Sequence, residues 1–188
     1  MYNKGDEIMR EQLELRLSGS GGQGLITAGI ILAEAAIRDK KNAIQTQSYG
    51  PEARGGASKA EVIISNEEID FPKVTIPTMT LALTQVACDK YIKEVSEEGT
   101  IIIDDSITLA EGITAKHIYK LPILSSARED IGKEIVANII ALGIIVELTG
   151  IVTKESAEAV ILSRIPKGTE KLNQMALQKG YELANQTK

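Results

Sequence analysis

Leucine alternates with polar residues from Leu13 to Ser18, the period of a strand with one apolar face. The pattern then changes. Over Leu25 to Arg38 the polar residues Thr27, Glu34 and Arg38 fall seven and four apart. That spacing puts them in one narrow stripe of a helix whose remaining surface is apolar. Such a helix is expected between a sheet and a further layer or subunit. Asn42 to Gln47 reads as a second strand and Ala57 to Ser65 as a third β-rich run. Phe71-Pro72 and Ile76-Pro77 interrupt regular structure. Beyond them the pattern predicts a short strand at Thr80 to Leu83, a helix from Gln85 to Val95 stopped by Gly99, a buried strand from Thr100 to Asp104, and a last strand from Lys116 to Leu121.

The last third reads as helical. Ser126-Ala127-Arg128-Glu129 has the form of a capping box and predicts one long apolar helix from there through Leu148, containing Gly143 and closed by Gly150. Thr153 to Ile165 is a further helix ended by Pro166, and Thr169 to Asn185 is another, with Leu172, Met175, Ala176 and Lys179 at helical spacing. There is no internal repeat and no low-complexity segment. The order predicts an α/β domain in three layers, with a mostly parallel sheet flanked by helices and a helical C-terminal third. A single domain is expected over residues 12–186, with residues 1–11 as a flexible tail.

Composition narrows the function. The chain has 188 residues, enough for a substantial core, but aromatics are 3% with no Trp and one Phe, so Ile, Leu, Val and Ala must build it. A formal net charge of −5 argues against nucleic acid as a partner. The lone cysteine, Cys88, can form no internal disulfide and cannot by itself hold zinc or an iron–sulfur cluster. The N-terminal residues lack the apolar core of a signal peptide. The apolar run Ile135 to Val146 is too short to cross a bilayer and is flanked by Glu134 and Glu147. A cytoplasmic protein is expected.

Two glycine-rich segments carry the chemistry. The first is Gly19-Ser20-Gly21-Gly22-Gln23-Gly24 and the second is Ser48-Tyr49-Gly50-Pro51-Glu52-Ala53-Arg54-Gly55-Gly56. Each follows a strand, so both should lie at one end of the sheet, where ligands bind in such folds. Gly19-x-Gly21-x-x-Gly24 between strand and helix fits a dinucleotide fingerprint, in which free helix N–H groups attract phosphate. The ribose-binding acid expected at the end of the next strand is missing from Gln45 to Ser48. Phosphate binding, partner contact and a tight structural turn all remain open for this loop. In the second segment Pro51 stiffens the chain, the glycines permit positive φ, and Arg54 offers a bidentate partner for a carboxylate or phosphate.

Other reactive residues read as structural. His117 fits a surface position in a strand, Cys88 a small buried group on a helix, and Asp104-Asp105 a loop cap at a strand end. No G-x-S-x-G elbow is present. No catalytic set and no metal set is expected in this chain. A stand-alone nucleotide-binding protein built on Gly19 to Gly24, and a ligand-free scaffolding domain, are the alternatives to a subunit of a larger enzyme.

The two glycine segments together resemble those of the gamma subunits of 2-oxoacid:ferredoxin oxidoreductases. The likeness continues through Ile101-Ile102-Ile103-Asp104, Ala137-Asn138, Ala141-Leu142-Gly143 and Asn173, Gly180 and Tyr181, covering about residues 13 to 184. The run from Gln45 to Ser58 is most similar to the branch that acts on 2-oxoglutarate (2-oxoglutarate synthase). The resemblance implies the gamma-type domain fold seen in pyruvate:ferredoxin oxidoreductase. It also implies a non-catalytic chain in a complex with alpha, thiamine-binding beta and ferredoxin-like delta subunits. That complex would convert 2-oxoglutarate to succinyl-CoA and carbon dioxide with ferredoxin as acceptor. Thiamine diphosphate, magnesium, iron–sulfur clusters and coenzyme A would be held mainly by the other subunits, and the isolated gamma chain could form a homodimer. No nucleic acid or membrane partner is implied. On the resemblance, Gly19, Gly21, Gly22, Gln23, Gly24, Tyr49, Gly50, Pro51, Glu52, Arg54, Gly55 and Gly56 are the cofactor- or partner-binding candidates. One departure stands out: Thr78 follows Pro77 where the family usually has Asp, which puts in doubt a polar contact at that end of the sheet.

Overall fold

A computed structural model describes residues 12–47 and 56–187. Its strands are β1 (Gln12–Ser20), β2 (Asn42–Gln47), β3 (Ala57–Ser65), β4 (Met79–Ala82), β5 (Thr100–Asp104) and β6 (His117–Leu121). They form one sheet in the order β2-β3-β1-β4-β5-β6. β1, β4, β5 and β6 run parallel, while β3 is antiparallel to both β1 and β2. Five strands therefore point one way and β3 alone runs back between two of them.

The helices are α1 (Leu25–Arg38), α2 (Gln85–Tyr91), α3 (Ile123–Ser125), α4 (Ala137–Thr149), α5 (Lys154–Arg164) and α6 (Glu170–Asn185). One face of the sheet, with Leu15, Leu17, Val62, Leu81 and Ile102, shares a core with α1, α4, α5 and α6. The other face presents Ala82, Ile101 and Ile103 to Cys88 and Ile92 at the α2 side. The result is the three-layer arrangement that the sequence predicts. α4 is apolar all round because it is enclosed: every residue from Ala137 to Val146 is buried. It crosses α6 where Gly143 meets Gly180, so the two backbones touch. α1 shows its polar stripe as expected, and Glu34 on that stripe pairs with Arg164 of α5.

Two helix boundaries differ from the sequence reading. The helix from Gln85 stops at Tyr91 and tightens into a 3-10 turn over Ile92–Glu94. The long helix expected from Ser126 to Leu148 is in fact two pieces. Ser126 does not start a helix, since its N–H already bonds the carbonyl of Pro122 in a turn begun at Ile123. The acid that serves this start is Asp104 at the end of β5, whose Oδ2 accepts from Leu124 N at 2.8 Å. α3 continues as a wide π-type turn over Ser126–Asp130. Gly132, at φ 81°, then turns the chain away, and a 3-10 turn at Glu134–Val136 leads into α4. The capping-box spacing at Ser126 to Glu129 is thus incidental.

Thr78 lies at the entry to β4, opposite the glycine loop. Its N–H donates to Glu14 O at 2.8 Å, and its Oγ1 accepts from Glu14 N at 2.9 Å. The threonine thus makes a polar tie between β1 and β4 at the far end of the sheet.

Candidate functional site: the glycine-loop end of the sheet

β1 runs two residues further than its alternating pattern suggests, through Gly19 and Ser20, which pair with Ser58 and Ala57 of β3. Gly19 is consequently a buried sheet residue. A Cβ there would strike the Gln23 side-chain oxygen and come within 2.9 Å of Leu25 Cδ1. Its lack of a side chain lets Gln23 fold back, and Gln23 Oε1 accepts from Ser20 N at 2.8 Å. The loop is braced from within, while Ser20, Gly21 and Gly22 stand exposed.

Gly22 and Gly24 both have positive φ, 90° and 74°, which other residues adopt only with strain. Gly24 is the N-cap of α1 and offers no side chain to cap it, and the first turn of α1 has no acid. Among the described residues no side chain takes up the orphan N–H groups, and these with the positive end of the helix dipole suit an outside acceptor.

Of the second glycine segment, Tyr49, Gly50, Pro51, Glu52, Arg54 and Gly55 lie outside the described residues, and Gly56 is a half-buried bend just before β3. The flanks place the segment's ends. Gln47, the last residue of β2, pairs with Ala60, and Ala57 pairs with Ser20. Both glycine segments therefore leave the sheet at one end, although the second joins antiparallel neighbours. Tyr91 of α2 supports that junction: its hydroxyl donates to Ala57 O at 3.3 Å. At the same end, Gln85 and Thr108 clasp through two bonds of 2.9 Å, Gln85 Nε2 to Thr108 O and Thr108 N to Gln85 Oε1.

The topology weakens a dinucleotide reading of Gly19 to Gly24. β3 is inserted between β1 and β2, so the end of β2 sits two strand spacings from β1, ~10 Å away. Even an acid near Gln47 would be displaced from a ribose held over α1.

His117 is exposed and stacks on Tyr119 at 6.1 Å between ring centroids. Asp104 is buried and spent on capping: besides Leu124 N it accepts from Ser106 N at 3.1 Å. Cys88 is 1% exposed, and burial together with Asp89 pushes its thiol up. Less thiolate and no access should make it inert. A disulfide reagent should titrate no thiol in the native chain on a time scale that labels it fully after unfolding; rapid native labelling would contradict this burial. No group of three His, Cys, Asp or Glu suited to a metal ion occurs among the described residues. No helix of the described residues is long and apolar enough to cross a membrane.

Two features escaped the sequence reading. Arg16, on the polar face of β1, is only 2% exposed. Its Nε and Nη2 reach Glu61 Oε1 at 2.8 and 2.7 Å, and Nη1 pairs with Glu94 beyond α2. Asn138, in the apolar α4, donates from Nδ2 to Gly24 O at 3.1 Å. A lone amide in an otherwise apolar helix was the available signal for the second.

Comparison with known proteins bears on the fold and the family. The 2-oxoglutarate synthase subunit KorC of Methanocaldococcus jannaschii is 51% identical over 176 residues, spanning 92% of this chain and 94% of that one. The keto/oxoacid ferredoxin oxidoreductase gamma subunit of Geobacter sulfurreducens is 49% identical and superposes with a TM-score of 0.83, covering 93% of this chain and 97% of the other. The 2-oxoglutarate:ferredoxin oxidoreductase of Magnetococcus marinus shares the fold at a TM-score of 0.84 and 21% identity, over 94% of this chain and 32% of its longer one. Residues 14–183 match the family model of pyruvate ferredoxin/flavodoxin oxidoreductase. With that match over most of its length, and close relatives of nearly equal length, the chain belongs to the pyruvate ferredoxin/flavodoxin oxidoreductase family.

Proposed function

We propose that this chain is the gamma subunit of a 2-oxoacid:ferredoxin oxidoreductase acting on 2-oxoglutarate, and that its glycine-loop end is the face it offers to coenzyme A and the thiamine-binding subunit. The substrate reading rests on the likeness to 2-oxoglutarate synthase subunits along 92% of the chain. The site reading rests on one observation: Gly21 and Gly22 are exposed in front of a helix N-terminus that no side chain among the described residues caps. Backbone N–H groups with no bulk around them suit a diphosphate, and Arg54 of the second glycine segment would add a fixed positive charge.

The chemistry belongs to the cofactors, with protein chains supplying position and electrostatics. A single buried thiol does not fit a role as cluster ligand, so the iron–sulfur centres fall to other chains. Alpha, beta and delta subunits are the partners, ferredoxin receives the electrons indirectly, and the assembly works in the cytoplasm.

Arg54→Ala in the reconstituted complex tests the face. A lost charge-assisted hydrogen bond of about 1.5 kcal/mol or more corresponds to about tenfold. The KM for coenzyme A or the dissociation constant of the complex should rise by that factor. Unchanged KM together with normal assembly would sink the proposal.

A further inference from the structure

We infer that Asn138 is the positioning residue of the glycine loop, holding Gly21–Gly24 in the geometry on which binding at this face depends. The inference rests on the reading of the loop as the binding face, and adds a residue from a distant part of the chain to it. Asn138 and Gly24 are 114 residues apart.

Asn138 stands among the buried residues of α4 and carries the one polar side chain from Ala137 to Val146. It is itself 8% exposed. An amide at such a position is costly unless its hydrogen bonds are made. Its Nδ2 bond goes to the carbonyl of Gly24, which also accepts from Ala28 N at 3.0 Å in the first turn of α1. The peptide after Gly24 is therefore held from two directions, by its own helix and by α4.

The fit is also steric. A Cβ on Gly24 would lie 2.6 Å from Asn138 Nδ2 and 3.1 Å from its Cγ. The amide occupies the space that a side chain would need, so Asn138 and Gly24 specify each other. Gln23 braces the loop from the β1 side by accepting from Ser20 N. Asn138 braces it from the α1 side. Between the two, Gly21 and Gly22 are left exposed.

The test uses the assembled complex with Asn138→Ala and Asn138→Asp, the second keeping shape while replacing the donor by an acceptor. Ile140→Val, which trims one methyl from the same helix, controls for general loosening of α4, and Gly22→Ala reports on the loop directly. Amide exchange at Ser20, Gln23 and Ala28, the hydrogen-bonded amides around the loop, should quicken about tenfold in both Asn138 variants and stay unchanged in Ile140→Val. The quantity that Gly22→Ala shifts, KM for coenzyme A or the subunit dissociation constant, should move about fivefold or more in the same direction, with kcat within twofold. Unchanged loop exchange in Asn138→Asp overturns the positioning role whatever the loop does. An equal shift in Ile140→Val overturns it too, by making the effect a general loss of packing. Faster exchange with KM and assembly unchanged in every variant, Gly22→Ala included, overturns the functional reading of the face and with it any part for Asn138 in turnover.

Discussion

Gly180→Val is expected to cost about 3 kcal/mol or more of stability, lowering Tm by about 6 to 12 °C in a chain of this size. The cause is backbone contact between α4 and α6. A Cβ on Gly180 would clash with the carbonyl oxygen of Ile140 and lie 2.9 Å from Gly143 Cα and 3.0 Å from Ile144 N. All three are main-chain atoms of a helix enclosed on every side, so none can rotate away. Helix propensity acts the other way. Replacing a mid-helix glycine by alanine ordinarily gains about 1 kcal/mol. The clash should exceed that gain, so Gly180→Ala should also destabilise, by less than valine. A Tm for Gly180→Ala at or above that of the parent would show that the two helices can part without penalty. The crossing matters beyond stability, because α4 carries Asn138 at its first turn and so ties the core packing to the glycine loop.

The second large effect concerns Arg16. Arg16→Met should destabilise by about 3 kcal/mol, the lower end for breaking a buried ion pair. Removing the guanidinium leaves the buried Glu61 with Lys59 Nζ, at 2.8 Å, as its remaining cationic partner. Glu94, half exposed at 53%, can return to water. The pair itself need contribute little net energy, since desolvating both charges offsets much of their attraction. Arg16→Met combined with Glu61→Leu should therefore recover most of the loss. Chemical denaturation of the two single variants and the double variant closes the cycle. A double variant as unstable as the sum of the singles would mean that the two residues act independently.

This ion pair also bears on the site. Arg16 lies under α2, with its guanidinium 5.9 Å from the centre of the Tyr91 ring. Tyr91 in turn supports Ala57, where the second glycine segment enters β3. A polar cluster on the α2 side of the sheet thus supports the start of β3, as Asn138 steadies the loop before α1.

Much of this was legible along the chain. Leu25–Arg38, Asn42–Gln47 and Ala57–Ser65 begin and end where the pattern of apolar residues places them. Their limits have local causes: Gly24 at φ 74° starts α1, and a turn around Asp39 and Lys40 ends it. The α/β layout follows from the same signals, and the paired glycine segments point to the family. The misread helix at Ser126 shows where local reading stops. The spacing of a capping box was present, but the capping acid came from β5, twenty residues earlier. Likewise the alternation in β1 marked Arg16 as lying on the polar face without telling what covers that face.

The sequence by itself determined most of the elements, the strand–glycine–helix junction at Gly19 to Gly24, and the lack of cluster-ligating cysteines. These depend on periodicity, on permitted φ values and on residue chemistry, all of which act within a few residues. Tertiary structure alone decided that β3 runs back between β1 and β2, that Asp104 starts α3, that Arg16 is buried and that Asn138 meets Gly24. Each of these joins groups far apart in the chain. A strand carries no local mark of its neighbour's direction, and a buried donor takes whichever acceptor the packed layers bring to it.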